Sequence, residues 1–114
     1  MKIFLNTGKK YIDGNNPTSI TLGEALSYIN QQPTDEVCED NHIGFVNDQG
    51  ETIQFIRFRD GSWLIDMPIL KDGVYNHSMQ DCDLDVFKVR EIVTRFSRDM
   101  NWRQLCNLTP TKPL

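Results

Sequence analysis

One stretch, His42 to Asp81, constrains the fold more than any other part of this chain. Three tight-turn signals divide it at intervals of about twelve residues, the spacing expected for a strand plus a hairpin loop. The turn sequences are Asp48-Gln49-Gly50, Asp60-Gly61 and Asp72-Gly73. The pattern predicts an antiparallel meander of four strands, at residues 42–47, 51–59, 62–69 and 73–80.

Residue alternation assigns faces to the third predicted strand. Because successive side chains in a strand point to opposite sides, one side is apolar and the other is mixed. The apolar side carries Trp63, Ile65, Met67 and Ile69, and the mixed side carries Ser62, Leu64, Asp66 and Pro68. We expect the apolar side to face the core, and we expect Pro68, which has no N–H, to lie near a strand end or a bulge. The second strand is ambiguous, because its apolar residues fall on both sides: Ile53 and Phe55 on one, Ile56 and Phe58 on the other.

Two predicted helices flank the meander. Thr21-Leu22-Gly23-Glu24 has the form of a capping box and Pro33 stops a helix, so the first helix should span 22–31. Its apolar stripe consists of Leu22, Ala25, Leu26 and Ile29. A second helix should open at Asp83-Leu84-Asp85, where acidic residues suit the positive end of the helix dipole. Its stripe consists of Val86, Val89, Ile92, Val93, Phe96 and Met100.

Two helices with single apolar stripes need a common surface against which to bury them. We therefore predict an α+β fold in which a four-stranded antiparallel β-meander carries both main helices on one face. Lys2–Leu5 can add an extra N-terminal strand, paired with Lys9–Ile12. We predict one domain over residues 1–108 and a flexible C-terminal tail over 109–114, where two prolines occur.

The composition favours a cytoplasmic protein with no membrane association. A chain of 114 residues with 39% hydrophobic residues can bury a core without disulfides. No apolar run approaches the roughly 18 residues of a membrane span, and Met1–Leu5 is too short for the apolar part of a signal peptide. The odd number of cysteines, at the widely spaced positions Cys38, Cys82 and Cys106, indicates reduced thiols.

The net charge of −4 argues against nucleic acid as a partner, since phosphate binding requires clustered Lys and Arg. Trp63 and Tyr75 could stack on bases beside Arg57 and Arg59. Without a basic run, however, packing within the sheet is the favoured interpretation of both aromatic residues. A moderate negative field serves solubility and can also steer the protein toward a basic partner.

Two residue sets imitate metal sites. The zinc candidates are Cys38, His42, His77 and Cys82, and the calcium candidates are Asp81, Asp83 and Asp85. In the predicted meander, the two halves of the zinc set are separated by two strands, or about 14 Å, which is beyond ligand distance. The calcium pattern has Val86 and Ile92 where Gly and Glu are required, so helix capping is the favoured role of these acids.

No catalytic constellation emerges from the residue pattern. The Cys and His residues of the zinc set lack a third group that would orient a nucleophile pair. Asp60 and Asp66 could be paired as acid and base, but turn chemistry and strand alternation already explain them. We expect no catalytic residue, no cofactor and no metal.

The order of elements resembles that of Imm1-type immunity proteins of bacterial polymorphic toxin systems. The resemblance covers about residues 18–106 and consists of a capped helix, a meander, a second helix and a following tryptophan. The residues that carry it are Thr21–Ile29, Ile53-x-Phe55, Trp63-x-Ile65, Tyr75, Val89-x2-Ile92-Val93-x2-Phe96 and Trp102. The family often has a Gly-Asp pair shortly before its final tryptophan, whereas this chain has Arg98-Asp99-Met100-Asn101.

The resemblance implies a small non-catalytic protein that binds a cognate toxin domain and blocks it. An acidic protein suits a basic toxin, because complementary charge accelerates association and selects the partner. We predict that the partner binds the sheet face opposite the helices together with the acidic loop over residues 34–41. The predicted partner-binding residues are Glu36, Glu39, Asp40, Leu64 and Asp66. The alternative is a small enzyme or ligand-binding domain with a pocket on the sheet.

Overall fold

The computed structural model describes residues 1–111, and within that range it is an α+β fold with eight β-strands and two α-helices. The strands are β1 (Lys2–Asn6), β2 (Tyr11–Ile12), β3 (Thr18–Ser19), β4 (His42–Val46), β5 (Thr52–Arg57), β6 (Trp63–Lys71), β7 (Val74–Leu84) and β8 (Thr109–Pro110). The helices are α1 (Leu22–Gln31) and α2 (Val86–Ser97), and a short 3-10 turn spans Arg103–Leu105.

The predicted meander is confirmed, but it understates the sheet. Strands β4 to β7 lie side by side in chain order, with every pair antiparallel. At one edge β1 pairs with β4, and β2 and β3 both pair with β1; at the other edge β8 pairs with β7. The predicted N-terminal strand is present as β1, and it pairs with Tyr11–Ile12, within the predicted segment Lys9–Ile12. Strands of two residues are too short to show alternation, so the pattern of the chain could not reveal β3 or β8.

Helix α1 occupies the predicted span because its capping box forms. Thr21 Oγ1 accepts a hydrogen bond from the Glu24 N–H at 3.2 Å, and Glu24 Oε1 accepts one from the Thr21 N–H at 3.2 Å. These two bonds satisfy N–H groups that have no partner inside the helix. Ala25 and Ile29 are buried on the inner face of α1.

Helix α2 begins later than predicted, because Asp83 still belongs to β7 and Asp85 is the N-cap. The Asp85 carboxylate accepts a hydrogen bond from the Lys88 N–H at 2.8 Å. The predicted stripe is buried at Val89, Ile92, Val93 and Phe96. Met100 lies beyond the helix end at Ser97 and is 52% exposed, so its place in the stripe was wrong. Neither helix of the described chain is long and apolar enough to cross a membrane.

One hydrophobic core joins both helices to one face of the sheet. The sheet contributes Ile3, Leu5, Ile43, Phe45, Ile53, Phe55, Trp63 and Ile65, and the helices contribute their buried stripes. On the third meander strand, Trp63 and Ile65 are in the core as predicted and Met67 packs against it, whereas Ile69, next to a register shift in β6, is not part of the core. Trp102 closes one end of this core with its ring edge-on to that of Phe96, at a centroid distance of 5.8 Å.

The first residues of the predicted C-terminal tail pair with the edge of the sheet. Thr109 and Pro110 pair with Gln80 and Met79, and the Thr111 N–H donates to the Ser78 carbonyl at 2.8 Å. The remainder of the predicted tail, residues 112–114, lies outside the described residues.

Candidate functional site

The acidic loop, residues 34–41, connects α1 to β4 and is tied to one end of the sheet. The Asp35 N–H donates to the Arg57 carbonyl at 3.0 Å, and Asn6 Nδ2 donates to the Asp40 carbonyl at 3.3 Å. These bonds hold the loop backbone against the ends of β5 and β1. The exposed side chains of the loop are Glu36, Val37, Glu39 and Asp40, which include three of the predicted partner-binding residues.

Asn41 anchors the loop from inside and is only 2% exposed. Its Oδ1 accepts a hydrogen bond from the Arg57 N–H at 3.1 Å, and its Nδ2 donates to the Arg57 and Cys38 carbonyls at 3.2 and 3.1 Å. Arg57 in turn donates from Nη1 to the Gln32 carbonyl at 2.8 Å, and its guanidinium lies 5.6 Å from the ring centroid of Trp63. Asn41 stands in a polar run without periodicity, so the sequence alone does not reveal this anchor.

The open face, defined as the side of the sheet opposite the helices, carries Leu64 as predicted. Its neighbours Trp63 and Ile65 belong to the core on the helix side, so Leu64 points the other way. Leu64 pairs directly with Ile56 of β5, which shares its face, whereas Ile53 and Phe55 are buried in the core. This arrangement resolves the ambiguity of the second strand. It places a half-buried apolar pair, Ile56–Leu64, at the end of the sheet that holds the acidic loop.

Asp66 also points to the open face, but it is 8% exposed and does not project into solvent. Its direct neighbours on β5 and β7 are Gln54 and Gln80. Gln54 Nε2 donates to Oδ2 of Asp66 at 3.1 Å, and Gln80 Nε2 donates to Oδ1 at 2.7 Å. Cross-strand neighbours are close enough for long amide side chains to cover a short carboxylate. Strand alternation predicts the face on which Asp66 lies, but it does not predict that neighbouring side chains cover its carboxylate.

A cleft opens on the same face where β5 and β6 separate. Their pairing ends at Gln54 and Asp66, while β6 continues with β7 as far as Lys71 and Val74. The backbone N–H and C=O of Ser78 bond to Thr111, on the side of β7 away from β6. Ser78 and Pro68 are therefore a non-hydrogen-bonded pair, and the nitrogen of Pro68, which carries no hydrogen, faces β5. Pro68 thus lies inside β6, one residue before the register shift between Ile69 and Leu70, which agrees with the predicted position near a bulge. The pairing of β6 with β5 ends just before Pro68.

The cleft consists of two adjoining cavities of about 360 and 160 Å³ that share Pro68 and Tyr75. Phe4, Thr52, Gln54 and the loop at Asp13–Asn15 line the larger cavity. Asp66, His77, Ser78 and Thr111 line the smaller one. The Tyr75 side chain is prominent at this surface, since the residue is 59% exposed. The sequence does not predict the separation of β5 from β6, because the separation depends on the register that sets the nitrogen of Pro68 against β5.

The residues singled out as metal ligands are not gathered into a site in the described chain. His42 lies on β4 while His77 and Cys82 lie on β7, with β5 and β6 between them. Within residues 1–111, no group of three His, Cys, Asp or Glu side chains is arranged to hold a metal ion. Asp81 accepts hydrogen bonds from the Cys82 and Asn107 N–H groups, and Asp85 caps α2.

Two of the three free thiols are poor nucleophiles. The neighbouring Asp83 carboxylate raises the pKa of the exposed Cys82 thiol, and burial raises the pKa of the Cys106 thiol. The thiolate is the reactive form, so a raised pKa leaves less of it at neutral pH. Asp60 has the turn role expected of it: hydrogen bonds from the Ser62 hydroxyl and N–H lower the pKa of its carboxyl. Trp63 is fully buried and cannot stack on a nucleic-acid base.

Comparisons of this chain with protein-family models, with curated proteins and with solved structures found no significant match.

Proposed function

We propose that this chain is a small non-catalytic binding protein that neutralises a cognate toxin domain by protein–protein interaction, in the manner of Imm1-type immunity proteins. The observation that carries the proposal is that the acidic loop is fixed at the same end of the sheet as an apolar pair on the open face. Hydrogen bonds to Asp35 and Asn41 hold this loop at the end of β5, where Ile56 and Leu64 form an apolar pair. The backbone of the acidic loop and the apolar pair are therefore at the same end of the sheet.

This arrangement suits a basic protein surface. Buried apolar anchors supply most of the affinity at a protein interface, while surrounding charges set orientation and association rate. Val37, near the centre of the acidic loop, is 77% exposed, with Glu36 directly before it and Glu39 two residues after it. An exposed aliphatic group among carboxylates would be buried by a partner that presents basic residues around an apolar patch. The net charge of −4 supports the same pairing.

The neighbouring genes provide the test. We expect a large gene with a variable C-terminal domain directly upstream, and expression of that domain alone should arrest cell growth. Co-expression of this chain should restore growth, and the two proteins should co-purify as a stable complex. A genomic context of metabolic enzymes, or a toxic neighbour that this chain neither binds nor neutralises, would overturn the proposal.

A small ligand-binding domain or enzyme is the second candidate, and the cleft on the open face is the observation that favours it. Its larger cavity brings the polar groups of Asp13, Thr52, Gln54 and Tyr75 around a space of about 360 Å³. Convergent polar groups in a concave site are typical of ligand binding. A small metabolite that raises the thermal midpoint of the isolated chain in a saturable manner would favour this second function.

A further inference from the structure

The chemistry of the cleft on the open face allows a more specific statement about the partner. We infer that the cleft receives the side chain of an arginine from a basic protein, with its guanidinium at Asp66. The inference rests on the proposed function for the nature of the partner, and on the residues of the cleft for the chemistry of the contact.

The charge of Asp66 is the first reason. Asp66 is 8% exposed as a residue, and among the described residues no ion pair includes its carboxylate. The two groups that donate to it, the amides of Gln54 and Gln80, are neutral. A carboxylate has about four acceptor positions, so two hydrogen bonds do not saturate it. Burial of a negative charge without a counter-ion is unfavourable, and a bound cation would offset that cost.

The walls of the cleft are the second reason. Pro68 and the exposed ring of Tyr75 border both cavities, and Phe4 borders the larger one. Arginine has a long aliphatic stem that packs on such surfaces, and its planar guanidinium stacks on aromatic rings while bonding a carboxylate in two places. The compact ammonium group of a lysine would also pair with the charge of Asp66, but it would not stack on the ring of Tyr75 as a planar guanidinium does.

The polarity of the cleft also selects against an anionic group. Asp13 stands in the larger cavity and Asp66 in the smaller. His77 is the one basic residue among the described residues that line them. An anion in the cleft would therefore lie close to two carboxylates. The overall negative charge of the chain acts in the same direction.

A titration of the full chain with a blocked arginine tests the inference without the toxin. The probe is Nα-acetyl-arginine N-methylamide, and its uncharged isostere, the blocked citrulline, is the matched control. Backbone amide shifts of Gln54, Asp66 and Tyr75 would be followed by two-dimensional NMR at low ionic strength. We expect saturable shifts with a Kd of about 1–10 mM for arginine, as befits a single side chain, and none for citrulline.

Two variants separate the site from the general charge of the protein. Asp66→Asn keeps the shape of the side chain and should weaken arginine binding about tenfold, because the charge-assisted bond is lost. Asp48→Asn removes the same charge at an exposed turn outside the cleft and should leave binding unchanged. If Asp66→Asn does not fold, Tyr75→Ala, at an exposed position, should weaken binding through loss of the stacking surface.

Three results would each overturn the inference: no saturation by arginine up to about 50 mM, equal binding of citrulline, or unchanged binding by the folded Asp66 or Tyr75 variant. Because the titration uses this chain alone, such a result leaves the toxin-binding proposal to the growth assay. Conversely, saturable arginine binding together with a failed growth assay would support the arginine site in the cleft and would rule out the toxin as the partner.

Discussion

The ring of Phe4 lies over Gly44, its direct neighbour across the β1–β4 pair, and occupies the space that a side chain at Gly44 would need. A Cβ built on Gly44 would lie 1.9 Å from Cζ of Phe4 and 2.3 Å from Cε2. Gly14, in the loop between β2 and β3, packs on the other side of the ring, where its own Cβ would lie 3.6 Å away. Phe4 is thereby buried on the open face, and the rim of the cleft depends on a residue without a side chain.

Substitution Gly44→Ala should therefore lower the free energy of unfolding by about 1–3 kcal/mol, the usual cost of forcing extra volume into a packed site. Urea unfolding followed by circular dichroism measures the change. Gly23→Ala is the matched control, because its Cβ would meet nothing within 4 Å and helix α1 favours alanine. Phe4→Leu should recover part of the loss when combined with Gly44→Ala, and strictly additive effects would contradict the steric explanation.

The anchor of the acidic loop can be tested at Asn41. Asn41→Ala removes one acceptor and two donors from backbone groups of Arg57 and Cys38, which leaves buried polar groups without partners. We expect a loss of about 3 kcal/mol in unfolding free energy and faster amide hydrogen exchange over residues 34–41. Asn16→Ala, at an exposed position of another loop, should change neither quantity. Unchanged exchange in the Asn41 variant would show that the loop is held by other contacts.

The cap of helix α2 offers a prediction with a conservative control. Asp85→Ala deprives the Lys88 N–H of its acceptor and should cost about 1 kcal/mol in unfolding free energy. Asp85→Asn keeps an acceptor oxygen at the same place and should be nearly neutral. Thermal unfolding by calorimetry distinguishes the two variants, and equal losses would point to the charge of Asp85 as the stabilising feature.

Stability should fall on the acid side because of two exposed carboxyl groups. Hydrogen bonds from the Thr21 hydroxyl and N–H lower the pKa of Glu24 below its ordinary value of 4.5, and those from Ser62 lower the pKa of Asp60 below 3.8. With a lowered folded-state pKa, the unfolded chain binds more protons, so this stabilisation is complete above the unfolded pKa and is lost as pH falls through the folded pKa. Thermal midpoints measured from pH 6 down to pH 2 should show a smaller decline for Glu24→Gln and Asp60→Asn than for the wild type. An unchanged acid limb in both variants would contradict this origin.

Charge reversal in the acidic loop tests the predicted partner surface. Replacement of Glu36, Glu39 and Asp40 by lysine should slow association with a basic partner at least about tenfold, since steering depends on complementary charge. The thermal midpoint should change little, because all three side chains are exposed. Stopped-flow or surface-plasmon kinetics at two ionic strengths measure the effect. The single variant Glu39→Lys is compared with Asp48→Lys, which makes the same charge reversal outside the acidic loop. Equal association rates for these two variants would show that the loop is not part of the interface.

Asp66 is unsuitable for such a reversal, although it was predicted beside the loop residues. A lysine at this position would place its stem and charge where Gln54 and Gln80 now enclose a short carboxylate. The loss of packing would mask any effect on binding. The isosteric Asp66→Asn change is therefore the appropriate probe of this residue.

The local pattern of the chain determined the elements that are long enough to be periodic or that carry their own cap. Helix α1 was predictable because Thr21 and Glu24 lie three positions apart and bond to each other without help from the rest of the fold. The meander was predictable because turn residues at regular intervals impose antiparallel neighbours. The inward position of Trp63 and Ile65, and the outward position of Leu64, follow from the two-residue period of a strand.

Only the tertiary structure decided the features that depend on residues distant in sequence. The short strands β3 and β8 exist because a longer strand offers them hydrogen bonds, and a segment of two residues has no periodicity from which it could be predicted. The enclosure of Asp66 depends on the register that sets Gln54 and Gln80 at its sides, and the cleft depends on where Pro68 ends the pairing with β5. Register is a relation between strands, whereas hydrophobic alternation is a property of one strand. For this reason the sequence predicts the face on which Asp66 lies but does not predict the cleft.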